Sequence, residues 1–292
     1  MPPKKRQKNK PSSAPANEAD DTAHSVLGGL RDPTLNSRVT GDETKNEDGV
    51  SSFKIPFGEK EIVCEARGSP SKSALIFTHG AGGGIANPAM QEWVAGWATE
   101  SSVISFQGTM NLKSRVKTFH AVIEHSQGAT ALGGRSMGAR AAVMTANELE
   151  EKPKALVLVS YPLTGGKGGD QRQPETREDI LTDLPDTVDV LFVYGSEDTM
   201  CDGQLLQEVT ERMTARSWLL EIKGADHGTS LKKKAGVQPI RDKAGSVAAK
   251  WLKDRDAVKR YCAIEWDDEN ARVDVEEWKK KQSPATKKRK RR

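Results

Sequence analysis

Residues 130–149 read TALGGRSMGARAAVMTANEL. Small and apolar residues, Thr130 to Gly134, lead into Gly134-Arg135-Ser136-Met137-Gly138, and an alanine-rich run from Ala139 to Leu149 follows. The first segment predicts a short buried strand and the last a helix. The join between them has to be a sharp strand-to-helix turn that pushes the Ser136 hydroxyl clear of the sheet. Glycine two positions to either side removes the Cβ that would clash there. The five-residue pattern alone is common, so the strand before it and the helix after it carry the weight.

Outward from that centre the same alternation continues. Ala74–Thr78 (ALIFT), Val103–Phe106, Ala155–Ser160 (ALVLVS), Val188–Tyr194 (VDVLFVY) and Trp218–Ile222 predict further short strands. Met90–Thr99, Val116–His125, Leu205–Ala215 and Ile240–Leu252 predict helices, with Trp93 and Trp97 four apart on one face. Ser51–Phe57 and Glu61–Ala66 alternate about a turn at Gly58 and predict an opening β-hairpin. Strands that are apolar right across, alternating with helices, predict an α/β fold with a mostly parallel central sheet covered on both faces. Ligands in such folds sit at the carboxyl ends of the strands.

The polar groups that chemistry needs fall at those ends. A hydroxyl is a weak nucleophile without a base. Of five histidines, His227 lies in Gly-Ala-Asp-His-Gly just past the Trp218–Ile222 strand. His24 falls in the N-terminal arm, His120 and His125 fall on a helix, and His79 reads as a loop-structuring residue. The base needs an orienting carboxylate, and Asp198 follows the VDVLFVY strand with room for one helix and one strand before His227. Its neighbour Glu197 and the loop residue Asp226 are the weaker candidates. His79-Gly80-Ala81-Gly82-Gly83-Gly84 follows the ALIFT strand and offers bare amides to a developing oxyanion. One donor is assigned to the Met137 N–H and the other to Ala81, with Gly82 as its alternative. The glycines do not make a dinucleotide loop, since Ile85 stands where a G-x-G-x-x-G begun at Gly80 needs its last glycine. Gly165-Gly166-Lys167-Gly168 lacks the Ser or Thr of a phosphate loop. No metal or organic cofactor is implied.

At ALIFTHGAGGG, ALGGRSMGAR, LVLVSYPLTGG, LFVYGSEDT and IKGADHG the chain resembles the α/β-hydrolase superfamily. More narrowly it is similar to the dienelactone-hydrolase-like group that includes testis-expressed hydrolase-like proteins and a subunit of the NSL chromatin complex. These segments sample residues 74–228. The resemblance implies an α/β-hydrolase fold, with Ser136, Asp198 and His227 in the nucleophile, acid and base positions. Dienelactone hydrolases proper carry Cys where Ser136 stands. The expected activity is hydrolysis of an ester, thioester or amide in a small-molecule or acylated substrate. The alternative is a catalytically silent hydrolase-fold module in a nuclear or chromatin complex. Only about 27 residues, 161–187, separate the ALVLVS and VDVLFVY strands, too few for a large cap domain. Gly165–Gly169, Arg172 and Arg177 are expected to form a small cover.

Charge and composition divide the rest. The 292 residues carry net charge +4 and a mean hydropathy of −0.65. Eleven of the 45 basic residues sit in residues 1–10 and 287–292, leaving 34 basic against 41 acidic residues, a body at −7. Such a body binds phosphate backbones poorly, so any nucleic-acid attraction belongs weakly to the tails. Residues 1–50 are read as a disordered arm, 51–255 as the hydrolase domain, 256–278 as an acidic extension with Trp266 and Trp278, and 279–292 as a disordered basic tail. Whether the extension packs on the domain or binds a partner stays open. Lys287, Lys288, Arg289, Lys290, Arg291 and Arg292 read as a nuclear localisation signal for the import machinery. Three sparse cysteines fit a reducing compartment. There is no apolar run long enough for a membrane span and no apolar stretch behind the first charges, so the expectation is an intracellular, nuclear protein, with the cytoplasm as the alternative, and no membrane partner.

Overall fold

The structure, a computed structural model, describes residues 44–45, 49–68, 74–126, 129–165 and 175–281. The strands are β1 (Thr44–Lys45), β2 (Val50–Phe57), β3 (Lys60–Arg67), β4 (Leu75–Thr78), β5 (Val103–Phe106), β6 (Ala131–Arg135), β7 (Ala155–Val159), β8 (Asp189–Gly195), β9 (Arg216–Ile222), β10 (Lys259–Asp267), β11 (Arg272–Val275) and β12 (Lys279–Lys280). The helices are α1 (Pro88–Ala98), α2 (Leu112–His125), α3 (Met137–Glu148), α4 (Glu175–Thr182), α5 (Gly203–Arg212) and α6 (Val237–Lys253). All the strands join one sheet in the order β1-β2-β3-β5-β4-β6-β7-β8-β9-β10-β11, with β12 also on β10. From β5 to β10 the neighbours are parallel. The opening hairpin β2–β3 is antiparallel and joins β5 antiparallel.

Both faces of the parallel strands are buried, which is why they read as continuous apolar runs. One face packs Phe119, Val122, Ala142, Ala146, Leu206 and Val209 from α2, α3 and α5. The other packs Trp93, Trp97, Ile240, Ala244 and Trp251 from α1 and α6. Stacked rings, Phe77 on Trp93 at 4.4 Å and Trp93 on Trp97 at 5.5 Å, fill the gap between β4 and α1. Strand order reverses about β4, which has β5 on one side and β6 on the other. The loops leaving β4 and β6 therefore diverge to opposite faces and open a crevice at their carboxyl ends. The register puts Thr78 opposite Gly134, so the glycine loop after β4 and the turn at Ser136 stand side by side.

Two expectations are corrected. The domain does not end at residue 255, because β10 pairs parallel with β9 and buries Cys262, Ala263 and Ile264 completely. β11 and β12 then cover the outer edge of β10, so most of the acidic extension, and Lys279 and Lys280 beyond it, are sheet. Thr44 and Lys45 likewise pair with β2 ahead of the expected start at 51. The second correction concerns the small cover expected within residues 161–187, where α4 packs Leu181 into the core. Arg177, expected in the cover, bonds the Pro162 carbonyl at 3.3 Å and the Thr164 carbonyl, anchoring its own segment. The rest of the expected cover (residues 166–169 and Arg172), the arm up to residue 43 and the basic run 287–292 lie outside the described residues. Among the described residues no helix is long and apolar enough to cross a membrane.

If β10 is a core strand, Ile264→Ala costs about 2–5 kcal/mol. Val275→Ala on β11, at a residue 44% exposed, costs about 0.5 kcal/mol or less. Denaturant unfolding of the full chain measures both, and equal small losses would return the extension to the status of an appendage.

Candidate active site

Ser136 closes β6 and caps α3 with φ +52° and ψ −115°. A non-glycine residue there is strained by about 1–3 kcal/mol. The neighbours impose it. The Ser136 N–H donates to the Val159 carbonyl of β7 at 2.8 Å, and the Ser136 carbonyl accepts from Arg140 N–H at 3.2 Å. The flanking glycines answer a need for space, since neither has positive φ. A Cβ on Gly138 would lie 2.5 Å from the Thr78 carbonyl and 2.6 Å from that of His79, and one on Gly134 would lie 2.4 Å from the backbone of Gly138. Without those two Cβ atoms, α3 seats directly on the ends of β4 and β6.

His227 and Asp198 meet this serine. The Ser136 Oγ lies 2.9 Å from His227 Nε2, and His227 Nδ1 lies 3.0 and 2.9 Å from the two oxygens of Asp198. A carboxylate only accepts, so the ring proton belongs on Nδ1 and the Nε2 lone pair faces the hydroxyl. The Asp198 side chain is wholly buried while the imidazole is 26% exposed. Asp198 is fixed further by the Met200 N–H at 2.8 Å. The competing carboxylates are spent elsewhere: Glu197 pairs with Lys232 at 3.0 Å, and Asp226 accepts the Ser230 N–H at 2.9 Å within its own loop. Cys201, beside this acid, is no rival nucleophile, because burial and then the Asp198 charge push its thiol well up.

The glycine loop is braced from below. His79 is buried; Gly108 N–H donates to its Nε2 at 2.9 Å, so its Nδ1–H donates to the Gly80 carbonyl at 2.7 Å. Burial, then the Arg115 charge, lowers its affinity for a second proton. Arg115, fully buried, donates to the carbonyls of His79, Gly80 and Thr109; burial lowers its pKa to about 10. With the carbonyls of His79 and Gly80 drawn inward, Ala81 and Gly82 stand exposed. Their amides donate to no backbone carbonyl among the described residues. The Met137 N–H is the first of α3 and has no intrahelical acceptor.

Two further arginines fasten the His227 loop. Arg135 donates to the His227 carbonyl at 2.9 Å. Arg241 of α6 donates to the Gly228 carbonyl at 3.0 Å, to the Thr229 carbonyl at 3.2 Å and hydroxyl at 3.1 Å, and to the Ser230 hydroxyl at 3.1 Å, with Glu92 of α1 behind it at 2.8 Å. None of Arg115, Arg241 and Glu92 was foreseen, and a lone charge on a helix face gives no sequence signal. Arg135 alone could have been found, from its place inside the serine motif. Among the described residues no group of His, Cys, Asp or Glu is placed to hold a metal ion.

Residues 71–253 match the model of the alpha/beta hydrolase domain family. Among solved structures, Est1E from Butyrivibrio proteoclasticus aligns with TM-score 0.55 at 15% identity, covering 70% of this chain and 99% of that one. The thioesterase domain from the curacin biosynthetic pathway aligns at 0.52 and 16%, covering 70% and 99%. Dienelactone hydrolase from Anabaena variabilis aligns at 0.53 and 14%, covering 69% and 95%. At such identities the likeness is one of fold.

Replacing Arg241 by Gln leaves Glu92 and the acceptors of residues 228–230 without their common donor. The expected loss is about 3 kcal/mol of unfolding free energy, read from denaturant midpoints. A loss below about 0.5 kcal/mol would mean the loop holds itself.

Proposed function

The chain belongs to the alpha/beta hydrolase domain family, and on that premise we propose that it is a serine hydrolase cleaving an ester, thioester or amide. The observation that carries the reading is the continuous hydrogen-bonded line from the Ser136 hydroxyl through His227 to the buried Asp198. Ser136 Oγ attacks the acyl carbon while its proton passes to His227 Nε2. The carbonyl oxygen becomes an oxyanion and is met by the Met137 N–H and by the Ala81 N–H, with Gly82 beside it. Collapse of the adduct breaks the bond to the leaving group, which takes the proton from Nε2. Water then attacks the acyl-serine, giving a proton to the same nitrogen, and Ser136 leaves with it. Asp198 holds the ring in one tautomer throughout and stabilises the imidazolium. The strain at Ser136 and the bracing of the glycine loop fix nucleophile and amides before substrate arrives, which is where such catalysis gains most.

The two terminal basic clusters support a second, separate proposal, that Lys287–Arg292 directs nuclear import. Fusion of residues 282–292 to a cytoplasmic reporter is expected to move it into the nucleus, and a reporter that stays behind would remove that role.

For the hydrolase itself, a fluorophosphonate probe is expected to label the full chain at Ser136 and not at all after Ser136→Ala. Asp198→Asn is expected to lower turnover of an activated ester by about 10⁴-fold through the wrong tautomer. No labelling of the wild type, or labelling that survives Ser136→Ala, would leave a hydrolase-fold interaction module in its place.

A further inference from the structure

The arginines about the site divide into two kinds. Arg115, Arg135 and Arg241 each donate to backbone carbonyls of a site loop. Arg140 does not. It sits on α3 one helical turn from the nucleophile, its own N–H bonded to the Ser136 carbonyl. Among the described residues its guanidinium has no hydrogen-bond or ion-pair partner at all; its Nε is buried and unsatisfied, as is that of Arg135, which keeps a carbonyl partner on another nitrogen. An unmet buried donor on a cation is expensive, at about 1–3 kcal/mol or more. Such groups in a native fold call for a missing partner.

The surroundings make the need sharper. Arg177 stands close enough to repel Arg140, and burial and that repulsion together lower the Arg140 pKa. The Tyr161 hydroxyl donates to the Arg177 carbonyl at 2.7 Å, and it takes no hydrogen bond from the Arg140 Nε. Glu178 on α4 is bound by Arg212 at 2.5 Å. Two like charges thus stand at the start of the loop that leaves β7, residues 160–165, and among the described residues neither is paired with a carboxylate. That loop follows Val159, whose carbonyl receives the Ser136 N–H, so this positive corner borders the serine.

We propose that Arg140, assisted by Arg177, is the specificity-determining residue of the site and receives an anionic group, a carboxylate or a phosphate, on the acyl portion of the substrate. The inference rests on the serine-hydrolase reading and names its substrate class. A planar guanidinium fork accepts either anion through two parallel N–H donors. An incoming anion meets the half-buried guanidinium and screens the two arginines from each other. Since the corner lies off the line from Ser136 to Asp198, it acts on which acyl group is held and not on the proton transfers.

The test uses two esters of similar length, p-nitrophenyl hemiglutarate with a terminal carboxylate and p-nitrophenyl valerate without one. The readout is the ratio of their kcat/KM values in one preparation, in which any loss of folded protein cancels. The wild type is expected to favour the anionic ester. Arg140→Gln is expected to lower that ratio about 10- to 100-fold, and Arg140→Lys, which keeps the charge and loses the fork, to fall between. A wild type without preference, or a ratio unmoved by Arg140→Gln, would overturn the inference while Ser136 labelling left the hydrolase reading standing. A binding arm needs no turnover: calorimetric titration of the full-length Ser136→Ala protein with monomethyl glutarate and with methyl phosphate. Binding of either, weakened at least about tenfold by Arg140→Gln, supports the proposal and tells carboxylate from phosphate. Binding of neither sinks it, whatever the labelling shows.

Discussion

A serine held at positive φ, in a turn that only two missing Cβ atoms make room for, is the constraint from which the site follows. The turn is costly by itself, by about 1–3 kcal/mol, and it persists because the sheet over-determines it. β7 supplies the acceptor for the Ser136 N–H, α3 supplies the donor to its carbonyl, and the ends of β4 press within 2.6 Å of where a Gly138 Cβ would be. The reversal of strand order about β4 then places the glycine loop against this turn. The serine hydroxyl and the bare amides come together because one crevice receives both.

The opposite wall is built by charge and not by apolar packing. His227 sits on a loop between β9 and α6, and a loop positions a side chain poorly unless something holds it. Here two guanidinium groups do so, Arg135 from the serine turn and Arg241 from α6. Burying such groups is costly; Arg241 has an ion pair with Glu92 at 2.8 Å, while Arg135, with no ion pair among the described residues, is favoured by the charges of Asp198 and Asp226. The remainder of the stabilisation comes from fixed carbonyl dipoles. This arrangement ties α1, α6, β6 and the His227 loop into one polar unit, so the distance between hydroxyl and imidazole depends on residues far from either in sequence.

Much of this could be read from the chain alone, and the reasons differ by element. The central strands were legible because burial on both faces leaves no charged residue in VISF or ALVLV. Ser136, Asp198 and His227 were legible because each follows such a strand directly. β10 was not: in KRYCAIEWD the buried stretch is three residues long and charges crowd both ends, as suits a strand near the sheet's edge. β11 and β12 are too short for any periodicity to register. α4, with no wide apolar stripe, buries Leu181 among charged neighbours and gives little helical signal. The arginine framework escaped for another reason, since carbonyl acceptors carry no residue identity and a guanidinium bound to backbone has no partner to find in a sequence.

That last point separates what the motif encodes from what it leaves open. On the serine-hydrolase proposal, the glycine-flanked serine, the strand-end acid and the loop histidine specify a chemical act common to many acyl compounds. Nothing in their spacing chooses among those compounds. In the reading proposed above the choice falls to cations around the same crevice, and they are distinguished by how their donors are used. Where every guanidinium nitrogen meets a carbonyl of the protein, as for Arg115, the cation is architecture. Arg135 leaves its Nε open but spends another nitrogen on the His227 carbonyl. Arg140, beside a second cation, has no such contact among the described residues, and under the proposal that uncompensated cost beside Ser136 is what an anionic acyl group would offset.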